Sequence, residues 1–211
     1  MRIFADHALL PEGWQAGVAV AVSGGKIARV ETNAQALSSD VRVPALLPAL
    51  SNLHSHTFQR GMAGMTEVRG ASRDSFWTWR EVMYRFIDHL TPSQIEAIAA
   101  MAFVEMQETG FAADAEFHYV HHQPGGERSS NVAELSERTF AAAYDTGNGL
   151  THLPVLYALG GAGEKQLAGG QLRFGNDADS YEVLHAAIVD AAKMMPDDTA
   201  VGFAPHAALH N

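Results

Sequence analysis

The sequence predicts an α/β fold: a small β-sheet domain over residues 1–44, then, over 45–211, a parallel sheet whose strands alternate with helices, either open or barrel-shaped. Three observations carry this. After residue 45, short apolar runs alternate with longer stretches of helical periodicity, an order that calls for parallel strands joined by helical crossovers. Before residue 45 the pattern is short, turn-rich and of period two. Hydrophobic residues make up 47% and charged residues 18% of 211 residues, enough for a sizeable core.

In the first segment, Val18, Val20 and Val22 alternate with alanines. Ser23-Gly24-Gly25-Lys26 offers a turn, and residues 27–30 resume an extended pattern, so a hairpin is expected. Residues 46–53 read as a buried strand running into the polar loop His54-Ser55-His56, despite Pro44 and Pro48. Phe76-Trp77-Thr78-Trp79-Arg80 reads as part of a long loop packed by its aromatics. The clearest helix follows: Thr91 caps it, Pro92 fits its first position and Gln94 completes a capping box. Ile95, Ile98, Ala99, Ala102, Phe103 and Met106 form its apolar stripe, and Thr109-Gly110 ends it.

A strand is expected over 111–117, with Asp114 and Glu116 facing a polar barrel mouth. Next come a helix to about Thr146 capped by Asn131 and Glu134, a strand over 150–156 and a Gly-rich loop over 160–175. A further helix is capped by Asp179 and Glu182 and carries Tyr181, Leu184, Ala187, Ile188 and Ala191 on its apolar face. The last strand, 199–205, leads into His206. About four strand–helix units are visible, whereas a closed eight-stranded barrel takes roughly 250 residues. Half a barrel exposes two strand edges, so a completing polypeptide or a homo-oligomer is the expected partner.

Composition narrows the function classes. With 14 Lys and Arg against 24 Asp and Glu there is no basic tract to follow a phosphate backbone, so nucleic acid is not expected as a partner. Cysteine is absent, which removes thiolate ligands, disulfides and cysteine nucleophiles and agrees with a reducing compartment. No run approaches ~18 apolar residues and no leader pattern follows Met1, so no membrane span and a cytoplasmic location are expected.

His54-Ser55-His56 is the sharpest local motif. Residues two apart at a strand end share a side, so both imidazoles can reach one divalent metal while Ser55 points away. The alternative is a pair of surface histidines. Gln59 and Arg60 lie on the same loop, and either could meet a substrate or only solvent. Arg80 suits a carboxylate, because its guanidinium presents parallel donors, unless it merely reaches into water. Tyr119 could donate to a carboxylate, and one of His118, His121 and His122 could bind metal or orient a neighbour. His206, beyond a strand end, could be a third ligand or a substrate contact; His210 reads as a surface histidine. Together these parts suit metal-assisted hydrolysis of a carbon–nitrogen bond, with no carboxylate assigned as the acid–base group.

Ser51-Asn52-Leu53-His54-Ser55-His56-Thr57-Phe58-Gln59 resembles the first-strand signature of the amidohydrolase superfamily. The formimidoylglutamate deiminase family is the one most resembled, through Gln59-Arg60-Gly61-Met62-Ala63-Gly64, Trp77-Thr78-Trp79-Arg80 and Ala115-Glu116-Phe117-His118-Tyr119-Val120-His121-His122. Gly169-Gly170-Gln171, Arg173-Phe174 and Pro205-His206 add to it. The resemblance implies the first part of a zinc-bearing TIM-like barrel behind a small sheet domain. It also implies hydrolysis of N-formimidoyl-L-glutamate, an amino-acid derivative, to N-formyl-L-glutamate and ammonia in histidine degradation. His54 and His56 become zinc ligands by this resemblance, and Gln59, Arg80, Tyr119 and His206 substrate contacts. His118, His121 and His122 become structural or supporting groups. Leu209 stands where the family has a substrate-binding arginine, and the family's later ligands and acid–base residues fall beyond Asn211. The chain alone is therefore expected to be inactive and to hold zinc weakly or not at all. The readings left beside this one are deamination of a cyclic amidine and a noncatalytic partial barrel.

Overall fold

A computed structural model of the chain describes residues 1–67, 75–161 and 165–206, with Trp77 described by its backbone only. Leu209 and His210, singled out above, lie outside the described residues. The chain divides into two compact units, Met1–Ala49 and Leu50–Asn211.

The first unit is one four-stranded sheet in the order β3-β2-β1-β4. Strands β1 (Arg2–Leu10) and β2 (Gly13–Ser23) pair antiparallel, as do β2 and β3 (Lys26–Glu31), while β4 (Val41–Leu46) runs parallel to β1. The β2–β3 turn is Gly24-Gly25, with φ of 57° and 75°, the left-handed pair that a tight hairpin requires and that glycine supplies without strain. Ala5, Ala8, Val18 and Val20 form its core.

In the second unit β5 (Leu50–Ser55), β6 (Phe111–His118), β7 (Gly149–Leu156) and β8 (Thr199–Val201) lie side by side, all parallel. The expected last strand is split: Gly202 and Phe203 interrupt it, and β9 (Ala204–Pro205) pairs with β7 separately. Among the described residues four α-helices connect the strands: α1 (Phe76–Ile87), α2 (Pro92–Glu108), α3 (Glu134–Thr146) and α4 (Ala178–Ala192). Helix α2 starts as its sequence requires, with Gln94 N–H donating to Thr91 Oγ1 and Thr91 N–H donating to Gln94 Oε1. One apolar layer joins α2, α3, α4 and β7 through Ala99, Phe103, Phe140, Leu150, Leu184 and Ile188. A second packs α1 against the strand ends through Met83, Ile87, Val120, Val155 and Phe174.

Several expectations change. Phe76–Ile87 is a helix rather than an aromatic-packed loop: Thr78 Oγ1 accepts from Ser75 N–H and donates to Ser75 O, closing its first turn. Helix α4 is capped by Asp177, whose carboxylate accepts from Ser180 N–H, not by Asp179 and Glu182. At α3, Asn131 Oδ1 accepts from Ala133 N–H, one residue before the helix begins, so Asn131 shapes the approach rather than the cap. The strand after Pro48 is not buried: Leu50 is 57% and Leu53 78% exposed, and β5 lies at an edge of its sheet among the described strands.

Candidate functional site

Strand ends of the second unit supply the site. Side chains alternate along β6, so Phe117 and, just beyond the strand, Tyr119 face one way, while Asp114, Glu116 and His118 face the other. The first face looks onto His54 and His56. The His54 ring stacks on Phe117 at 4.3 Å, and His56 meets Tyr119 edge-on at 5.0 Å. Asp114 and Glu116 do not face a barrel mouth. They are buried on the side where the helices pack, with Asn52, Ser55 and Thr57 as partners.

The Nε2 atoms of His54 and His56 lie 3.1 Å apart. Two nitrogens bound at ~2.05 Å to one tetrahedral zinc would be separated by about 3.3 Å, so the pair has the spacing of two ligands of one ion as well as of an N–H···N bond. His56 Nδ1 is 3.0 Å from the Phe117 carbonyl, an arrangement that puts the proton on Nδ1 and leaves Nε2 with its lone pair. Burial, opposed by that carbonyl, lowers the His56 pKa, so the ring is neutral near pH 7, as a ligand must be. His54 and His56 fit zinc as two of its ligands. Among the described residues no group of three or more His, Asp or Glu side chains converges as a metal cluster.

A cavity of about 380 Å³ adjoins this pair and brings together His56, Gln59, Arg80, Tyr119 and His206. Its walls are apolar and aromatic, including Trp79, Met83 and Phe174. Arg80, on α1, donates from Nε to Tyr84 Oη and from Nη2 to Tyr157 Oη, both at 2.6 Å. Tyr157 also stacks on His206, with ring centroids 4.9 Å apart. Burial and the neighbouring tyrosines push Tyr84 and Tyr119 up to about 12, so both keep their hydroxyl protons near neutrality. Gly170 presses on Tyr84: a Cβ there would lie 2.7 Å from the Tyr84 Cβ, so only glycine lets this ring seat.

Tyr84 and Tyr157 are the polar pocket residues the sequence reading missed. Once 76–87 is a helix, Tyr84 lies four residues after Arg80 and must share its face. Tyr157 follows the last residue of β7, the same strand-end position that marks His206 and Tyr119.

The remaining candidates go elsewhere. Arg60 turns from the pocket and forms a two-point pair with Glu105 of α2. His118 and His121 are 3% exposed, and His121 Nε2 bonds the Val155 carbonyl, while His122 Nε2 bonds that of Gly175. None of the three joins His54 and His56 in a metal cluster. His118 packs on His152, which is fully buried and meets Ser136 Oγ of α3 at 3.0 Å. Among the described residues, His118 Nε2, His121 Nδ1 and His152 Nδ1 have no hydrogen-bond partner. Arg173 is also fully buried: its guanidinium donates to Ile87 O, Leu90 O and His122 O, and its own carbonyl accepts from His121 and His122 N–H. Burial lowers its pKa to about 10, so it stays charged near neutrality.

A parallel sheet covered by helices, with paired histidines and a pocket at its strand ends and a separate small sheet ahead of it, is an α/β fold of the metal-dependent amidohydrolase type. An amidohydrolase from Brucella melitensis is 43% identical, with a TM-score of 0.92 over 97% of this chain and 46% of that one. An atrazine chlorohydrolase from Arthrobacter aurescens, complexed with zinc, shares the fold at a TM-score of 0.70 and 16% identity, over 96% of this chain and 46% of that one. The chain is homologous to formimidoylglutamate deiminase. It is 49% identical to that protein of Pseudomonas aeruginosa over 180 residues, 85% of this chain and 40% of the other. Residues 1–43 match the family description "Formimidoylglutamate deiminase HutF, N-terminal domain". The chain thus spans less than half the length of these relatives. No described helix is long and apolar enough to cross a membrane.

Proposed function

We propose that the pocket binds N-formimidoyl-L-glutamate and that the protein takes part in its zinc-dependent hydrolysis to N-formyl-L-glutamate and ammonia, a step of histidine degradation. The observation that carries this reading is the meeting of Arg80, Tyr119 and His206 with His56 in one cavity. Arg80 gives a fixed positive charge at the aromatic end, held by two tyrosine hydroxyls and suited to a substrate carboxylate. Tyr119, protonated near neutrality, donates a second hydrogen bond, and the Gln59 amide can both donate and accept. The aromatic walls exclude water and strengthen each polar contact. His54 and His56 would hold zinc, which would supply the Lewis acidity for a hydrolytic water.

Calorimetric titration tests the reading. N-formyl-L-glutamate and a cyclic amidine, guanine, are added in turn to the protein and to Arg80→Ala. Saturable binding of the dicarboxylate, weakened by the substitution, is the expected result. Preference for the cyclic amidine, or dicarboxylate binding indifferent to Arg80, overturns it.

A further inference from the structure

The proposed substrate contacts make no use of the two carboxylates behind the histidine pair. Asp114 is 2% and Glu116 0% exposed, and the hydroxyl of Ser55 lies between them, 2.5 Å from Asp114 Oδ2 and 2.6 Å from Glu116 Oε2. A serine hydroxyl has one proton and can donate to only one carboxylate. The second short contact needs a proton of its own, carried by the other carboxyl and donated to Ser55 Oγ. Asn52 Nδ2 also donates to Asp114 Oδ1 at 2.8 Å, and Thr57 N–H donates to Glu116 Oε2, the oxygen that meets Ser55, at 2.9 Å and to Oε1 at 3.1 Å. Burial, which raises both carboxyls and takes Glu116 to about 7, favours retention of such a proton.

These contacts grip the chain at residues 52, 55 and 57, on either side of His54 and His56. The β5–β6 ladder cannot place the histidines alone, because its register shifts between Asn52 and Ser55. We propose that Asp114 and Glu116, sharing one proton through Ser55, are positioning residues that hold His54 and His56 at ligand spacing. This inference rests on the reading of the pair as zinc ligands.

A shared single proton has a distinctive consequence for an amide substitution at Asp114. In Asp114→Asn the new amide donates to Ser55 Oγ, Ser55 donates to Glu116, and the amide oxygen still accepts from Asn52 Nδ2, so each contact is kept without the extra proton. Glu116→Gln offers no such match, because Thr57 N–H reaches both carboxylate oxygens and meets an amide N–H in either orientation. Asp114→Asn is therefore tolerated, whereas Asp114→Ala and Ser55→Ala, which break the bridge, are not.

The test is long-range ¹⁵N–¹H spectra of the imidazoles without metal, followed by zinc titration, on the wild type, Asp114→Asn, Asp114→Ala and Ser55→Ala. Circular dichroism follows folding, and His56→Ala serves as the zinc control. Wild type should show His56 protonated on Nδ1. Asp114→Asn should keep its spectrum and its zinc affinity within about twofold. Asp114→Ala and Ser55→Ala should shift both histidines and lose zinc affinity about tenfold or more, the usual cost of removing support behind a ligand. Where one of these two does not fold, the other decides. Asp114→Asn as damaging as Asp114→Ala, or unshifted histidines in Asp114→Ala and Ser55→Ala, overturn the proposal. Zinc binding unaltered in His56→Ala, or absent in wild type, removes the reading beneath it, while the metal-free spectra still decide the positioning.

Discussion

On its pocket side β6 and the residue beyond it offer Phe117 and Tyr119, both partly open, to two histidines; on its helix side the same strand holds Asp114, Glu116 and His118, none more than 3% exposed. β7 repeats the division, with His152 fully buried among the helices and Tyr157 beside Arg80. The groups whose protonation burial disturbs most lie on the helix side, where a change of charge acts on the fold. The pocket side relies instead on a guanidinium, tyrosine hydroxyls and a neutral imidazole, where a change acts on what is bound. An acidic residue one position from a site residue on a strand belongs to the opposite layer.

Acid is the strongest way to break this division. Burial and the nearby His121 lower His152 to about 3, and His118 and His121 are lowered well below their ordinary value. The unfolded chain then takes up protons before the folded one, so stability is complete above about pH 6.5 and is lost as pH falls toward 3. For His152 alone, 3.5 units at 1.36 kcal/mol each make roughly 5 kcal/mol. Urea unfolding between pH 7 and pH 4 should show this limb, and His152→Asn should make it shallower. An unchanged limb would mean that His152 is not held neutral by the helix layer.

Glu116 gives a smaller effect of opposite sign. Its pKa rises from 4.5 to about 7, chiefly through burial, so its contribution is complete below about pH 4.5 and is lost as pH rises through 7. The 2.5 units amount to roughly 3 kcal/mol. Glu116→Gln should remove this alkaline loss; equal slopes in the two proteins would place the proton elsewhere.

Pocket substitutions should act on binding instead. Arg80→Ala should weaken N-formyl-L-glutamate by about 2 kcal/mol, roughly 30-fold, with little change in the urea midpoint. Tyr157→Phe, which removes one hydroxyl and keeps the ring stacked on His206, should cost about 1 kcal/mol. Unfolding of Arg80→Ala with unaltered affinity in the folded fraction would make the pocket face structural too. Arg60→Ala breaks an exposed pair with Glu105 and should change neither binding nor the urea midpoint, as measured in the same two assays.

Local rules made much of the fold legible. Thr91, Pro92 and Gln94 announce α2 because capping chemistry is local, and the two-residue period brings His54 and His56 together. Helix α1 escaped although Phe76, Trp79, Met83, Phe86 and Ile87 recur at helical spacing, because an aromatic run reads equally well as the packing of a loop; the Ser75–Thr78 spacing also marked its start. With α1 missed, Tyr84 could not be placed beside Arg80. The face of Asp114 and Glu116 could have been counted from Tyr119 by period two, since odd and even positions part. Their polarity suggested an open mouth, whereas the strand bends polar groups of β5 around to meet them, a tertiary pairing no local rule contains.

Arg173 bears on how the molecule opens. Its contacts join segments 86 and 51 residues away in the chain, the end of α1 and the turn after β6. Its charge persists near neutrality, so releasing any one of these segments strands a buried cation. Opening piece by piece is thereby penalised, and the end of α1, the His121-His122 turn and the Gly169–Arg173 turn should come apart as one cooperative unit. In hydrogen exchange, Leu90, His122 and Phe174 amides should share one opening free energy. The wall that carries Arg80 would then be either wholly assembled or wholly undone.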